Sequence, residues 1–264
     1  MPPDWLTPAA AMPWPVQTPF RMRPNLETLD PVAPALLLRD ALADVYRRER
    51  ERVIAAHAER AMVGAANVAV LDAIHNLVPA ALGMQEDFVI LKHEANTLRT
   101  EYLSVCFPSR WDPREKLGLD FAAIHAPVAD NQMLQAAGPH IMAMAFMKQP
   151  MLRHVWLVVP SASLDQHPNK NQAWWTETLR DVSPLLPNLY FRVERQTTWP
   201  LPHLQRAVFF IRVMMSPLLD VLAATPGRAA ELAASLRSMT PEVVAYRGMT
   251  EAMPRLLAEL DHVE

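Results

Sequence analysis

The chain has 264 residues, 51% of them apolar, enough for one large domain or two small ones with a sizeable core. Its formal net charge is −3, with 25 Lys and Arg interspersed among 28 Asp and Glu, so no basic stripe and no nucleic-acid partner is expected. The one cysteine, Cys106, excludes an intrachain disulfide and fits a reducing, cytoplasmic setting, and 25 prolines against 6 glycines leave no GxGxxG or GxxxxGK(S/T) phosphate loop.

Residues 1–18 read as an extended Pro-rich arm, with Trp5 and Trp14 as anchors on the body of the protein or, equally, as parts of a loose tail. Prolines remove backbone donors there, and the run lacks the charged and apolar regions of a signal peptide. Residues 19–264 read as one domain. From Pro34 to Val78 the chain is helical in character. Leu38, Leu42, Val45, Tyr46, Val53 and Ile54 recur at helical spacing, and "YRRERERV" reads as a solvated face with i,i+4 ion pairs. A second helix spans Ala65 to Leu77 and stops before Pro79. "DFVILK", Asp87 to Lys92, is a strand. "TLRTEYLSVCFPS" alternates, with Leu98, Thr100, Tyr102, Ser104 and Cys106 on one face and Leu103, Val105 and Phe107 on the other. "HEAN" turns the two into a hairpin, which places His93 in the turn, and Pro108 ends the second strand. Trp111 to Phe146 returns to helix and loop, with "GPHIMAMAF" a short helix carrying Pro139 near its first turn. Strands follow at His154–Val159, Leu189–Gln196 and Arg206–Met214, with a short helix around Trp174 to Leu179 between the first two. After Pro217 the chain is helical, with Thr225-Pro226 and Thr240-Pro241 each reading as an N-cap and its following proline. No apolar run approaches the roughly 20 residues of a membrane span.

The familiar catalytic devices are missing. There is no GxSxG, Ser109 has no base nearby in sequence, and no CxxC, HExxH or HxH holds a metal. Nine histidines remain. His125 and His140 lie in the crossover among apolar residues, and His154 opens the third strand; each is a core or capping residue unless a ligand recruits it. A haem needs little more than one neutral imidazole, held by a second hydrogen bond, beside an apolar cavity. On the strand "FRVERQ", Arg192 and Glu194 share one face and Arg195 takes the other. Such charge on a strand is either a cross-strand ion pair or a wall for a charged ligand. Arg153, one residue before the third strand, invites the same two readings. The methionines of "IMAMAF" read as core first, and as soft lining for a flat cofactor second.

Two long segments, "FPSRWDPREKLGLDFAAIHAPV" and "LYFRVERQTTWPLPHLQRAVFFIRV", resemble the haem-binding alpha subunit of the haem-dependent oxidative N-demethylase family, the dimethylamine monooxygenase-like proteins. "PFRMRPNLETLD", "LRHVWLVVP" and "EVVAYRGM" add weaker similarity, so that the likeness runs from Pro19 to about Leu260. It implies a haem-binding PAS-type domain that oxidises a small secondary methylamine with O₂ to release formaldehyde. Electrons would come from NADPH through separate reductase subunits carrying flavin and an iron–sulfur centre; neither group is expected in this chain, since one cysteine cannot hold a cluster. The sequence departs from the family pattern at Ala129 and Pro200, where proline and arginine are usual, and at Val155, where asparagine is. Amine specificity is the property these changes put in doubt.

The expected fold is α+β: a PAS-like antiparallel sheet with a helical crossover, flanked by N- and C-terminal helices. A b-type haem (haem b, iron) is expected under the crossover, with His125 as first choice of axial ligand, His140 second and His154 third, and with Arg153 as a further cofactor contact. Arg192, Glu194 and Arg195 are the candidates for catalytic polarisation or for contacts to the haem carboxylates. Two other readings use the same residues: a haem-based gas or redox sensor, and a haem-free binding protein in which His125 is structural.

Overall fold

The computed structural model describes residues 3–30, 32–78, 83–94, 97–170, 175–181 and 183–263. Its centre is a seven-stranded sheet with every neighbouring pair antiparallel: β1 (Glu27–Thr28), β2 (Met62–Gly64), β3 (Asp87–Glu94), β4 (Thr97–Ser104), β5 (Met151–Val159), β6 (Tyr190–Leu201) and β7 (Arg206–Pro217), in the order β1-β5-β6-β7-β3-β4-β2. The class is α+β, as the sequence suggests. Period-2 alternation splits each long strand between two layers. One face carries Trp156, Phe191, Val193 and Met214 against the C-terminal helices α6 (Leu218–Ala223), α7 (Arg228–Arg237), α8 (Pro241–Tyr246) and α9 (Met253–Leu260). The same face carries Phe88, Ile90, Val208 and Phe210 against α2 (Val68–Asn76). The other face meets α1 (Ala43–Ala61) and the crossover, which comprises α3 (Phe121–His125), α4 (Gln132–Ile141) and a wider-turned π-helix over Met142–Lys148. The short helix α5 (Trp175–Asp181) follows β5 and precedes β6 in the chain.

Helix α1 docks through Tyr46 and Val53, with the Tyr46 hydroxyl donating to the Val213 carbonyl at 2.8 Å. Its charged run is only partly solvated. Arg47 and Arg52 pair with Glu51 and Glu49 on the outside, but Arg50 is turned inward, one helical turn from Tyr46, onto Asp87 and Ser104. Asp87 also accepts from the Cys106 and Phe107 amides at 2.8 Å each, which fixes the chain as it leaves β4.

Several expectations change in the structure. The two expected helices are separated by the short strand β2, and Leu38 lies outside both. The alternation expected along β4 is broken: Ile90 faces Tyr102 and Leu91 faces Thr100, so Glu101 is an extra residue on β4. That bulge brings Leu98 and Leu103 into the same core cluster. His93 belongs to β3; the hairpin turn at Ala95 and Asn96 lies outside the described residues, as do Pro79 and Trp174. Pro139 sits inside the last part of α4, not its first turn, and the π-helix begins three residues later. A proline there withholds one amide from the helical ladder, which favours a shifted hydrogen-bond register. β6 continues past Gln196 to Leu201 because β7 pairs with it along that whole length, whereas β5 pairs with it only as far as Thr197. Pro200 therefore lies where one side of β6 needs no donor. Thr225-Pro226 does not cap α7; Gly227, with φ +90°, holds that position. Thr240 does cap α8, accepting from the Val243 amide at 3.2 Å, with Pro241 following.

The N-terminal segment lies along the body. Trp5 Nε1 donates to Ala162 O at 2.8 Å, Met12 is buried in the core, and Trp14 packs on Phe191 with ring centroids 5.1 Å apart. Among the described residues no helix is long and apolar enough to cross a membrane.

Candidate functional site

Between the crossover and the sheet lies a cavity of about 590 Å³, in the size range of small-molecule and cofactor sites. Val89, Leu91, Leu103, Leu134, Ile141, Phe146 and Phe209 form its apolar wall. Glu194, Gln196 and Thr198 of β6 add a polar stripe, and Arg153, Arg110 and Arg247 contribute cationic groups.

His125 lines this cavity as the last residue of α3. A helix of five residues does not hold itself, and α3 is stapled at both ends. Asp120 accepts from the Ala123 amide at 3.0 Å. At the other end Asn131 Nδ2 donates to the carbonyls of His125 and Ala126, at 2.8 and 3.2 Å, and Gln135 Nε2 donates to Ala122 O at 2.9 Å. The imidazole is fixed in turn. His125 Nδ1 lies 2.8 Å from the Phe121 carbonyl oxygen. A carbonyl only accepts, so Nδ1 carries the proton and Nε2 keeps its lone pair. The Phe121 ring packs on the imidazole with centroids 4.1 Å apart. Gly138 of α4 backs Phe121, and a Cβ there would stand 3.1 Å from the ring. Burial lowers the His125 pKa, and Arg153 and Lys116 push the same way against the Phe121 hydrogen bond, so the neutral imidazole is favoured.

The three residues singled out on β6 have three different settings. Glu194 faces the cavity, buried, with Oε1 accepting from Ser109 Oγ at 2.5 Å and Oε2 from Gln196 Nε2 at 2.7 Å. Arg192 is fully buried behind it. Its Nε donates to Ser109 Oγ at 2.8 Å, Nη2 to Phe107 O at 2.8 Å and Nη1 to Leu164 O at 3.1 Å. Arg195 lies on the opposite face and donates to the carbonyls of Ala35 and Leu36 at 2.5 and 3.2 Å, tying down the N-terminal segment. Arg153 lines the cavity with its Nε buried and without a hydrogen-bond partner among the described residues, and burial lowers its pKa. His140 is exposed on α4. His154 is half-buried on the face of β5 turned away from the main cavity, in the wall of a smaller one; burial, then Arg195, lowers its pKa. The structure thus brings His125, Glu194 and Arg153 to one cavity and places Arg192, Arg195, His140 and His154 elsewhere.

Residues 38–257 match the family described as haem-dependent oxidative N-demethylase, alpha subunit-like. The chain belongs to this family. No curated protein matches it.

The site suits the haem dependence in the family's description. A haem asks for a neutral imidazole with its far nitrogen held, and the Phe121 carbonyl provides that constraint on His125. It also asks for an apolar wall of sufficient extent and for cations near its carboxylates, and both line the same space.

Sequence reasoning did not single out Arg247, Tyr246, Arg110 or the bridging role of Ser109. Ser109 looked baseless because its partner, Glu194, is distant in sequence. Arg110 follows it with φ +67°, uncommon for a non-glycine residue, where its amide donates to Gln166 O at 3.0 Å. The one available signal for Arg247 was its place in "EVVAYRGM".

Proposed function

We propose that this chain is the haem-binding oxygenase component of a system that removes a methyl group from a small secondary amine. Per turnover it would consume O₂, two electrons and two protons, and release formaldehyde, the demethylated amine and water. The electrons would come from a separate NADPH-dependent reductase with flavin and iron–sulfur subunits. The haem is of b type, and the setting is cytoplasmic. The observation that carries the reading is the His125 imidazole, proton fixed on Nδ1 by the Phe121 carbonyl, in the wall of the large apolar cavity. A PAS-like fold agrees with it. In chain order the five long strands lie as second, first, fifth, fourth, third, with the helical crossover between second and third.

Haem bound there would supply the activation of O₂, and the chain's own residues would do the rest. His125 would hold the iron through Nε2. Val89, Leu91, Phe146 and Phe209 would exclude water. Glu194 would attract the ammonium form of the amine and orient its methyl group, since each carboxylate oxygen keeps acceptor capacity beyond its one hydrogen bond. Arg192 and Ser109 position Glu194. A carboxylate that reaches the cavity as well as the buried arginines beside it favours an enzyme that takes a cationic amine over a gas sensor.

Two measurements test the proposal. Protein produced with haem supply should show a Soret band that His125→Ala loses or shifts; an unchanged spectrum in the variant sinks the ligand assignment. With a reductase and NADPH added, formaldehyde should appear in proportion to amine; haem-loaded protein that reduces normally but yields none points to the sensor.

A further inference from the structure

The large cavity shares part of its wall with a second space of about 60 Å³: Met22, Arg23, Arg153, Val155 and Arg247 line both. Two of these are guanidinium groups with unspent donors. Arg153 Nε, and Nε and Nη1 of Arg247, are shielded from solvent without a hydrogen-bond partner among the described residues. Arg247 is not free to swing outward: its guanidinium carbon lies over the rings of Phe20 and Trp156, 4.6 and 4.9 Å from their centroids. Burial lowers both groups, Arg247 to about 10. The acid acting on Arg153 is Glu194, whose oxygens already accept from Ser109 and Gln196, and among the described residues the ionisable group acting on Arg247 is Tyr246.

Buried N–H groups of a guanidinium left unmet are costly, and an anion that accepts from them removes the penalty. Guanidinium geometry favours a carboxylate, which it can grip with two parallel hydrogen bonds. The smaller space is large enough: one water needs roughly 10–15 Å³ by this kind of measure. Gln17, Asn25 and His154 in its wall offer further polar groups.

We infer that Arg153 and Arg247 form a carboxylate-binding site in the wall that the two cavities share. The inference rests on the haem reading only for the source of the carboxylate. A b-type haem brings two of them, and a substrate bearing one, such as an N-methylated amino acid, would bring the same chemistry.

The test compares haem with its dimethyl ester, which differs only in masking both carboxylates. Haem-free full-length protein is titrated with each and the Soret band followed; N-methylglycine and dimethylamine are titrated in parallel by calorimetry. Wild type should hold haem at least tenfold more tightly than the diester, Arg153→Gln and Arg247→Gln should each shrink that preference, and the double variant should abolish it. Equal affinity for the two haems, with N-methylglycine but not dimethylamine binding to wild type and not to the double variant, also upholds the site and assigns the carboxylate to the substrate. The inference is overturned by equal haem affinities without N-methylglycine binding, or by a preference that survives in the double variant. Absence of a Soret band with either porphyrin defeats the haem reading; the N-methylglycine result then decides the carboxylate site alone. The main comparison uses wild type, so misfolding of a variant cannot imitate the expected result.

Discussion

Arg192→Met separates a structural arginine from a catalytic one. Arg192 is fully buried and serves Ser109 Oγ, Phe107 O and Leu164 O. Methionine fills much of the same space but donates nothing. Two carbonyls then lose donors, and Glu194 loses the positive charge one pleat away. Breaking one side of a buried charged network of this kind costs about 3–5 kcal/mol. For a chain of this size each kcal/mol moves the melting temperature by about 2–4 °C, so the midpoint should fall by roughly 10 °C. Urea titration followed by far-UV circular dichroism gives the free energy, and a thermal scan gives the midpoint. His125 and the apolar wall are untouched, so folded variant should still take up haem. Arg192→Lys should fall between, because one ammonium cannot reproduce the three-way fork. A loss below about 1 kcal/mol would mean that the network contributes no more than an ordinary hydrogen bond, and the positioning role given to Arg192 would fail.

Other outcomes follow from the same geometry. Glu194→Gln keeps the shape but removes the charge, and should raise the KM for a cationic amine by roughly 10–100-fold, the worth of one charge-assisted hydrogen bond, while the Soret band stays in place; an unchanged KM removes Glu194 from substrate binding. Burial holds the His125 pKa below its ordinary value near 6.5, so the unfolded chain binds the extra proton first as pH falls. Its contribution to stability is therefore full above about pH 6.5 and shrinks below it, and haem should dissociate over the same acid window; in a pH series, a wild-type loss no steeper than that of His125→Ala contradicts this. Thr240→Ala removes the cap of α8 and the hydroxyl donated to Asp130 Oδ2 at 2.6 Å. It should cost about 1 kcal/mol in urea titration.

How much of this was legible in the sequence depends on the range of the interaction. The five long strands were readable because alternation and β-branched residues are local signals. Where they went astray, a distant partner decided. β4 bulges at Glu101 through its pairing with β3, and β6 extends through its pairing with β7, where Pro200 is tolerated because β5 has already ended. Arg50 looked solvated in its run of charges, but Asp87, 37 residues on, and Ser104 draw it inward. His125 could be named from its surroundings in sequence and from the family likeness. Arg247 had only its place in the weaker "EVVAYRGM" likeness, since nothing else local distinguishes a buried arginine over two aromatic rings from a surface one.

The charged residues of β6 show why pattern and function part company. A strand covered on both faces should read as nearly continuous apolar sequence. β6 is covered on both faces, yet carries Arg192, Glu194 and Arg195 in the buried class. Each charge is answered by a different piece of chain: Arg192 by the carbonyls of Phe107 and Leu164, Arg195 by those of Ala35 and Leu36, and Glu194 by Ser109 and Gln196. Two of the three thereby fasten irregular segments that have no sheet ladder of their own. Glu194 fastens nothing at a distance except through Ser109, and it alone of the three lines the cavity. Glu194 is also an acid that offsets the buried guanidinium groups of Arg192 and Arg153. Its place in the cavity wall is what distinguishes it from a purely structural counter-charge, and the amine reading proposed above depends on that residue.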